Sequence, residues 1–333
     1  MNGARLLPIE LTWNCSFLRV KGLENLKGGA MASESELISA LASIFNKPTP
    51  DLIIGIGDDG AVAAPSNKKI VMSTDMAVEG VHFKREWSTL KEIGGKITAA
   101  NLADIYAMGG VPKYLLVSAG LPEGITKEEV EELGRGIKAE AELVNCSVVG
   151  GDISKASELV ISIAAIGEVE KPVRRSGAKV GDKVFISNLP GFSAAGLAQL
   201  KIGVRESKYL SLHKKPVVPY AMGVKFAGIN SMADVSDGLL SECAHIATAS
   251  KVGMILDGEM IKKIPGFYEL EKLALEMKED IWSWVLSGGE DHAFLGTNEI
   301  VPEGAFEIGE VVAGNQVQVN GASEIKNPGW RHF

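Results

Sequence analysis

An α/β (α+β) chain of two domains is the fold class this sequence predicts, and three observations predict it. Short apolar runs of strand length alternate with longer stretches whose apolar residues recur at helical spacing. The 333 residues exceed the usual size of a single domain. The stretch Lys171-Pro172-Val173-Arg174-Arg175-Ser176-Gly177 reads as the crossing from a first alternating unit into a second. The expected division is therefore an irregular extension over 1–30, a first domain over 31–168 and a second over 169–333.

The elements follow in order. Ser33-Glu34-Ser35-Glu36 is a capping box, in which Ser33 and Glu36 satisfy each other's backbone donors, and Leu37, Leu41, Ile44 and Phe45 then share one helical face. This start makes Met31 a candidate natural start, with the first thirty residues an upstream extension. Leu52–Ile56 and Ile70–Ser73 read as buried strands. Thr89–Met108 reads as a long helix striped by Leu90, Ile93, Ile97 and Ile105. Leu115–Ala119 is a strand, and Thr126–Val144 a helix opened by a second capping box at Thr126 and Glu129. Val148–Val149 and Leu159–Ile166 are strands. In the second unit Val184–Ser187 reads as a strand and Met232–Val235 as a strand or turn, with helices after Gly191 and from Leu239.

Composition narrows the function. A net charge of −8 without a Lys/Arg run gives no support to nucleic-acid binding. Cys15, Cys146 and Cys243 are far apart, with no C-x-x-C pair, which fits free thiols in a reducing cytoplasm rather than disulfides or zinc. The N-terminal apolar stretch is broken by Pro8 and Glu10, unlike a signal peptide. The longest apolar run, Leu159–Ile166, is too short to span a bilayer. A cytoplasmic protein with no membrane partner is expected.

Five times an apolar run ends in small residues and an acid: Gly55-Ile56-Gly57-Asp58-Asp59, Ser73-Thr74-Asp75, Gly150-Gly151-Asp152, Asp234-Val235-Ser236-Asp237-Gly238 and Ser287-Gly288-Gly289-Glu290-Asp291. Strand ends line the ligand crevice of open sheets, and glycines there admit close backbone approach. Asp104 adds a sixth acid on the long helix, with Asn101 one turn before it on the same side. Any one Gly-Asp alone is most simply a turn. Converging together, the acids repel unless cations lie between them. Oxygen ligands without a Cys or His cluster select magnesium, and magnesium bridging acids to phosphates is the usual setting of phosphoryl transfer.

Other motifs fail on context. Gly55-Ile56-Gly57-Asp58-Asp59-Gly60 matches a dinucleotide fingerprint, but Pro65-Ser66-Asn67 leaves no room for the helix it requires. No G-x-x-x-x-G-K-[ST] is present. Gly191-Phe192-Ser193-Ala194-Ala195-Gly196 is a Gly-rich turn able to wrap a phosphate but lacks the last glycine of a nucleophile elbow. No hydroxyl or histidine has an evident positioned base, so no covalent nucleophile is expected. His213 and His245 read as surface or satisfied core residues, whereas His82 follows the Asp75 segment into the crevice.

On these residues the sequence resembles the thiamine-monophosphate kinase family, within the aminoimidazole-ribonucleotide-synthetase-like ATP-binding superfamily. The carrying motifs are Gly-Ile-Gly-Asp-Asp at 55–59, Ser73-Thr74-Asp75 with Val81-His82-Phe83, and Lys96 through Asn101-Leu102-Ala103-Asp104 to Met108-Gly109. Further on come Gly150-Gly151-Asp152, Arg175-Ser176-Gly177-Ala178, Asp234 to Leu239, Ser287 to Asp291, and Gly329-Trp330-Arg331-His332-Phe333.

The resemblance implies a two-domain fold of that superfamily, its first domain binding ATP and metal and pairing with its copy in a homodimer. It implies several Mg2+ ions held by Asp59, Ser73, Thr74, Asp75, Asp104, Asp152, Asp234 and Asp237. ATP contacts fall on Gly151, Asp152, Arg175 and Ser236, and contacts to thiamine monophosphate on His82, Glu290 and Trp330. Transfer would be direct and in line, giving thiamine diphosphate. Gly60, His292 and Arg331 depart from the family's usual Cys, Tyr and Asp. Cys15 lacks the neighbouring Lys and Gly-rich segment of a selenophosphate synthetase, and a chain ending in Phe333 lacks the terminal Cys of the hydrogenase-maturation relatives.

Overall fold

A computed structural model describes residues 33–45, 47, 49–56, 61–64, 66–323 and 329. The irregular reading of 1–30, and the site positions Asp59 and Trp330, lie outside the described residues. Residues 31–333 form one compact unit.

The first half runs α1 (Glu34–Phe45), β1 (Leu52–Ile54), β2 (Val62–Ala63), β3 (Lys69–Val78), α2 (Leu90–Ala107), β4 (Val111–Leu121), α3 (Lys127–Glu142), β5 (Ser147–Lys155) and β6 (Val160–Val169). Every expected helix is present, and each starts where its sequence satisfies the first free N–H groups. Ser33 and Glu36 bond reciprocally ahead of α1. Thr89 and Glu92 close the box on α2, and Thr126 and Glu129 on α3. The strands are longer than expected. β3 and β5 continue past Asp75 and Asp152, so these two acids lie inside strands rather than after them.

β3, β6, β4 and β5 make a four-stranded sheet in that order, antiparallel except for the parallel β4–β5 pair. Along β6, Ile161, Ile163 and Ala165 are fully buried while the residues between them are half-buried, the period-two signature of a sheet covered on one face. Ile93, Ile97, Leu102 and Ile105 of α2 share the core beneath that face. Burial of each such side chain contributes about 1.5–3 kcal/mol.

The second half, after a short 3₁₀ turn at Arg175–Gly177, runs β7 (Lys183–Ile186), α4 (Phe192–Lys201), α5 (Lys208–Lys214), α6 (Tyr220–Lys225), β8 (Ser231–Asp234), α7 (Leu239–Ser250), β9 (Gly253–Asp257), α8 (Gly258–Ile261), α9 (Phe267–Met277), α10 (Ile281–Ser287), β10 (Phe294–Asn298), β11 (Phe306–Val312) and β12 (Val317–Asn320). Its six strands order β12-β9-β11-β7-β10-β8, all antiparallel but for β12 with β9.

α2 belongs to both halves. Its isoleucines face the first sheet, while Ala99, Ala103, Tyr106 and Ala107 pack with Phe185, Phe226, Met232 and Phe294 of the second. Small side chains on that face let α2 lie close to β8. The carboxylates of α2 and β8 are thereby brought to one place.

Candidate active site

The period of two in β3 sends Ser73 and Asp75 toward α2 and leaves Thr74 on the opposite face. Ser73 Oγ donates to Asp104 Oδ2 at 2.5 Å, and the Asp75 backbone N–H donates to Asn101 Oδ1 at 3.1 Å. Asp234, the buried last residue of β8, joins from the second half, with Asp237 a turn later. Burial raises Asp75; the charges of Asp234 and Asp237 add to that, and His292 and His82 oppose it. Asp104 is pushed up to about 7, first by burial and then by the charges of Asp234 and Asp75. Four carboxylates from both halves thus feel one another.

The loop 287–292 lies along 234–238. Glu290 N–H donates to Ser236 O at 2.7 Å, and His292 N–H to Val235 O at 3.0 Å. Two glycines permit this approach: a Cβ on Gly289 would meet Ser236 O at 2.3 Å, and one on Gly238 would meet Ser287 O at 2.8 Å. Glu290 and His292 themselves adopt left-handed backbone, at φ 66° and 51°. Such strain costs on the order of 1–3 kcal/mol and is concentrated at functional sites. Between them, Asp291 is turned away from the acids. Its carboxylate caps α4, accepting from Gly191 N–H at 2.7 Å and Ser193 N–H at 3.0 Å. This corrects two expectations: Asp291 is not one of the converging carboxylates, and the Gly191 turn spends its donors on Asp291 rather than on a phosphate.

Beside the acids lies a charge-paired corner. Lys96 Nζ is 2.9 Å from Glu290 Oε2 and 3.4 Å from the His82 carbonyl oxygen. His82 Nδ1 accepts from Val78 N–H at 3.1 Å, which fixes its loop against β3. His213 is buried, 3.6 Å from Glu290 Oε2 and hydrogen-bonded to Ser193 Oγ at 3.0 Å. The Ser193–His213 pair is the positioned base that the sequence did not reveal. It is a poor one, since burial lowers His213 to about 4 and Ser193 is itself buried.

The remaining expected residues do not all meet the cluster. Arg175 is exposed and paired at 3.2 Å with buried Glu242, while Ser236 lies in the loop beside Asp237. Gly151 and Asp152 are on β5, at the far edge of the four-stranded sheet from β3. The register Met76–Ser162–Ser118–Asp152 puts Asp152 on the same uncovered face as Thr74. Three strand spacings, about 14 Å, separate those edges. One chain therefore gathers Ser73, Asp75, Asp104, Asp234 and Asp237, and leaves Thr74 and Asp152 apart. A cavity of about 1300 Å³ lies along the β4–β5 edge, lined by Leu41, Phe45, Leu116 and Asp152 among others, away from the acid cluster.

The acids fit a divalent cation shared with a ligand. Asp104 is pushed up to about 7 because burial and the charges of Asp234 and Asp75 outweigh the Ser73 hydrogen bond and His292. Among the described residues no three His, Cys, Asp or Glu side chains close around a common point. Magnesium ordinarily takes one or two carboxylates and completes its shell with water and phosphate oxygens.

Three residues in this site were not singled out for it. In the sequence Lys96 lies inside a longer motif, His213 is a lone histidine, and His292 is a departure from the family's usual Tyr. His292 is buried with Nδ1 3.0 Å from Asp234 Oδ2, and Asp234 raises it although burial opposes its charge. Its place directly after Glu290-Asp291 was the available signal.

The family models for AIR synthase related protein match in sequence, the N-terminal domain over 57–169 and the C-terminal domain over 179–321. The thiamine-monophosphate kinase of Mycobacterium tuberculosis is 37% identical over 85% of this chain and 86% of its own length. That of Aquifex aeolicus is 36% identical over 84% of this chain and 92% of its own. In structure, the thiamine-monophosphate kinase of Stenotrophomonas maltophilia K279a superposes with a TM-score of 0.76 at 28% identity, covering 88% of this chain and 98% of that one. AaThiL complexed with AMPPCP and TMP gives 0.75 at 33% identity, covering 90% and 97%. The hydrogenase maturation protein HypE in complex with ATP, at 17% identity and 0.71, shares the fold alone. This chain belongs to the thiamine-monophosphate kinase family of AIR synthase related proteins.

Proposed function

We propose that this enzyme transfers the γ-phosphoryl group of ATP to the phosphate of thiamine monophosphate, yielding thiamine diphosphate and ADP. An oxygen of the acceptor phosphate bonds to the γ-phosphorus as the bond to the β,γ-bridging oxygen breaks, in line and without a phosphoenzyme. The observation that carries this reading is the joined set Asp75, Asp104 and Asp234 beside the Lys96–Glu290 pair. Mg2+, when bound, neutralises phosphate charge between these acids and the nucleotide. Ser73, Asp75, Asp104, Asp234 and Asp237 are the residues of this cluster that hold it, with Asp59 joining from outside the described residues.

Arg175, anchored by Glu242, and Ser236 contact the nucleotide. His82 and Glu290 receive the organic half of the acceptor, whose thiazolium cation Trp330 covers. Gly329, the neighbour of Trp330, already lies against the Asp237 loop, where an added Cβ would be 2.5 Å from Asp237 O.

Thr74, Gly151 and Asp152 serve from the uncovered sheet face, which we read as the homodimer interface. Ile70, Met72 and Met76 are 66%, 71% and 57% exposed on it, an apolar strip that water leaves unsatisfied. The parts then divide as an extension over 1–30, an ATP-, metal- and dimer-binding domain over 31–168 and an α/β domain over 169–333. No helix among the described residues is long and apolar enough to cross a membrane, in keeping with a cytoplasmic enzyme. Omitting ATP, thiamine monophosphate or Mg2+ one at a time, with thiamine diphosphate followed by chromatography, tests the reading. Product requires all three; product without Mg2+, or none with all three, refutes it.

A further inference from the structure

Lys96 ties together two segments assigned to the same ligand. It projects from α2 with its side chain only 12% exposed, and its ammonium donates both to Glu290 Oε2 and to the His82 carbonyl. Those partners come from opposite halves: His82 follows β3, and Glu290 follows α10. Glu290 needs such a brace. Its backbone is in left-handed conformation, held by a single N–H bond to Ser236 O.

Burial would raise the Glu290 carboxyl, but Lys96 first, then His213 and His292, more than offset it and hold it below the ordinary range. Both close contacts of that carboxylate, to Lys96 and to His213, fall on Oε2. Oε1 has no partner among the described residues and remains available as an acceptor. A carboxylate with one oxygen clamped presents the other in a fixed direction, which is what recognition of an aromatic amine requires.

We propose that Lys96 is a positioning residue for the acceptor substrate, acting through Glu290 and the His82 segment rather than on the phosphoryl group. This rests on the reading of Glu290 as a substrate contact. The test is steady-state kinetics of Lys96→Met, Lys96→Arg, Glu290→Gln and the double variant Lys96→Met/Glu290→Gln, with melting temperatures recorded for each. Lys96→Met raises KM for thiamine monophosphate about tenfold, the scale of about 1.4 kcal/mol, and leaves KM for ATP within about twofold. Lys96→Arg, which keeps the cation, recovers most of the loss. Lys96→Met adds little in the Glu290→Gln background, because both act through one carboxylate.

A rise from Glu290→Gln with none from Lys96→Met overturns the proposal and leaves the substrate reading standing. No rise from Glu290→Gln overturns both. Parallel rises in both Michaelis constants with a lowered melting temperature assign Lys96 to packing alone and also overturn it.

Discussion

Removing the charge of Asp104 should make the metal-free protein more stable at alkaline pH, the reverse of what loss of a structural residue does. The Asp104 carboxyl is raised from 3.8 to about 7 by burial and by Asp234 and Asp75. Its folded value lies above its unfolded one, so the fold holds a proton there that the unfolded chain has released. The stability present below pH 3.8 is lost as pH rises through about 7. At about 1.4 kcal/mol per pH unit, that displacement sets a ceiling of about 4 kcal/mol. Relaxation of the ionised site leaves on the order of 1–3 kcal/mol.

Asp104→Asn keeps an oxygen for Ser73 Oγ and cannot ionise. In chelator at pH 8 it should melt a few degrees above the wild type, at about 2–4 °C per kcal/mol. At pH 5.5 the difference should be about half as large, and it should vanish only below pH 3.8. Added Mg2+ should stabilise the wild type at pH 8 by mass action and Asp104→Asn far less, as it lacks a ligand charge. The assay is differential scanning calorimetry over pH, with and without Mg2+. An Asp104→Asn protein less stable than wild type at pH 8 in chelator, with an undiminished response to Mg2+, would refute the reasoning.

Gly289→Ala should cut turnover severely, because its Cβ would lie 2.3 Å from Ser236 O and force the Glu290 and Asp237 loops apart; a wild-type kcat/KM would contradict that contact. Met72→Glu should shift the protein to monomer on size-exclusion chromatography, since a charge on the uncovered sheet face opposes pairing; an unchanged elution volume rules this face out as the interface. Ser193→Ala should keep activity within about tenfold, as a buried hydroxyl beside a weak base is no nucleophile; a labelled phosphoenzyme in the wild type that Ser193→Ala lacks would overturn direct transfer. Trp330→Ala should raise KM for thiamine monophosphate by about tenfold, from loss of a cation–π contact and its shielding, with KM for ATP unchanged; parallel changes in both would assign Trp330 to packing.

The helices were legible because their starts are local chemistry. Thr89/Glu92 and Thr126/Glu129 satisfy backbone donors within four residues, and the stripes of Ile93, Ile97 and Ile105 mark the buried face. Strand lengths were not legible. Asp75 and Asp152 interrupt the apolar run, yet neighbouring strands still pair their backbones. The convergence of Asp75, Asp104 and Asp234 was readable as a demand for charge compensation, whereas the separation of Thr74 and Asp152 depends on strand order.

Asp291 was misplaced because the second acid of Gly-Gly-Glu-Asp reads alike whether it faces a ligand or caps α4. Lys96, His213 and His292 escaped for a related reason. Their partners Glu290, Ser193 and Asp234 lie between 20 and 194 residues away in sequence, so only the folded chain brings them into contact.

Acceptor choice tests the central claim most directly. The enzyme is given ATP labelled at the γ-phosphorus, Mg2+, and an equimolar mixture of thiamine, thiamine monophosphate and ribose 5-phosphate. Label should move to thiamine monophosphate alone, appearing as thiamine diphosphate, with ADP formed in equal amount. Label released to water at the same rate whether or not thiamine monophosphate is present, or transferred to another acceptor in preference, would contradict the account.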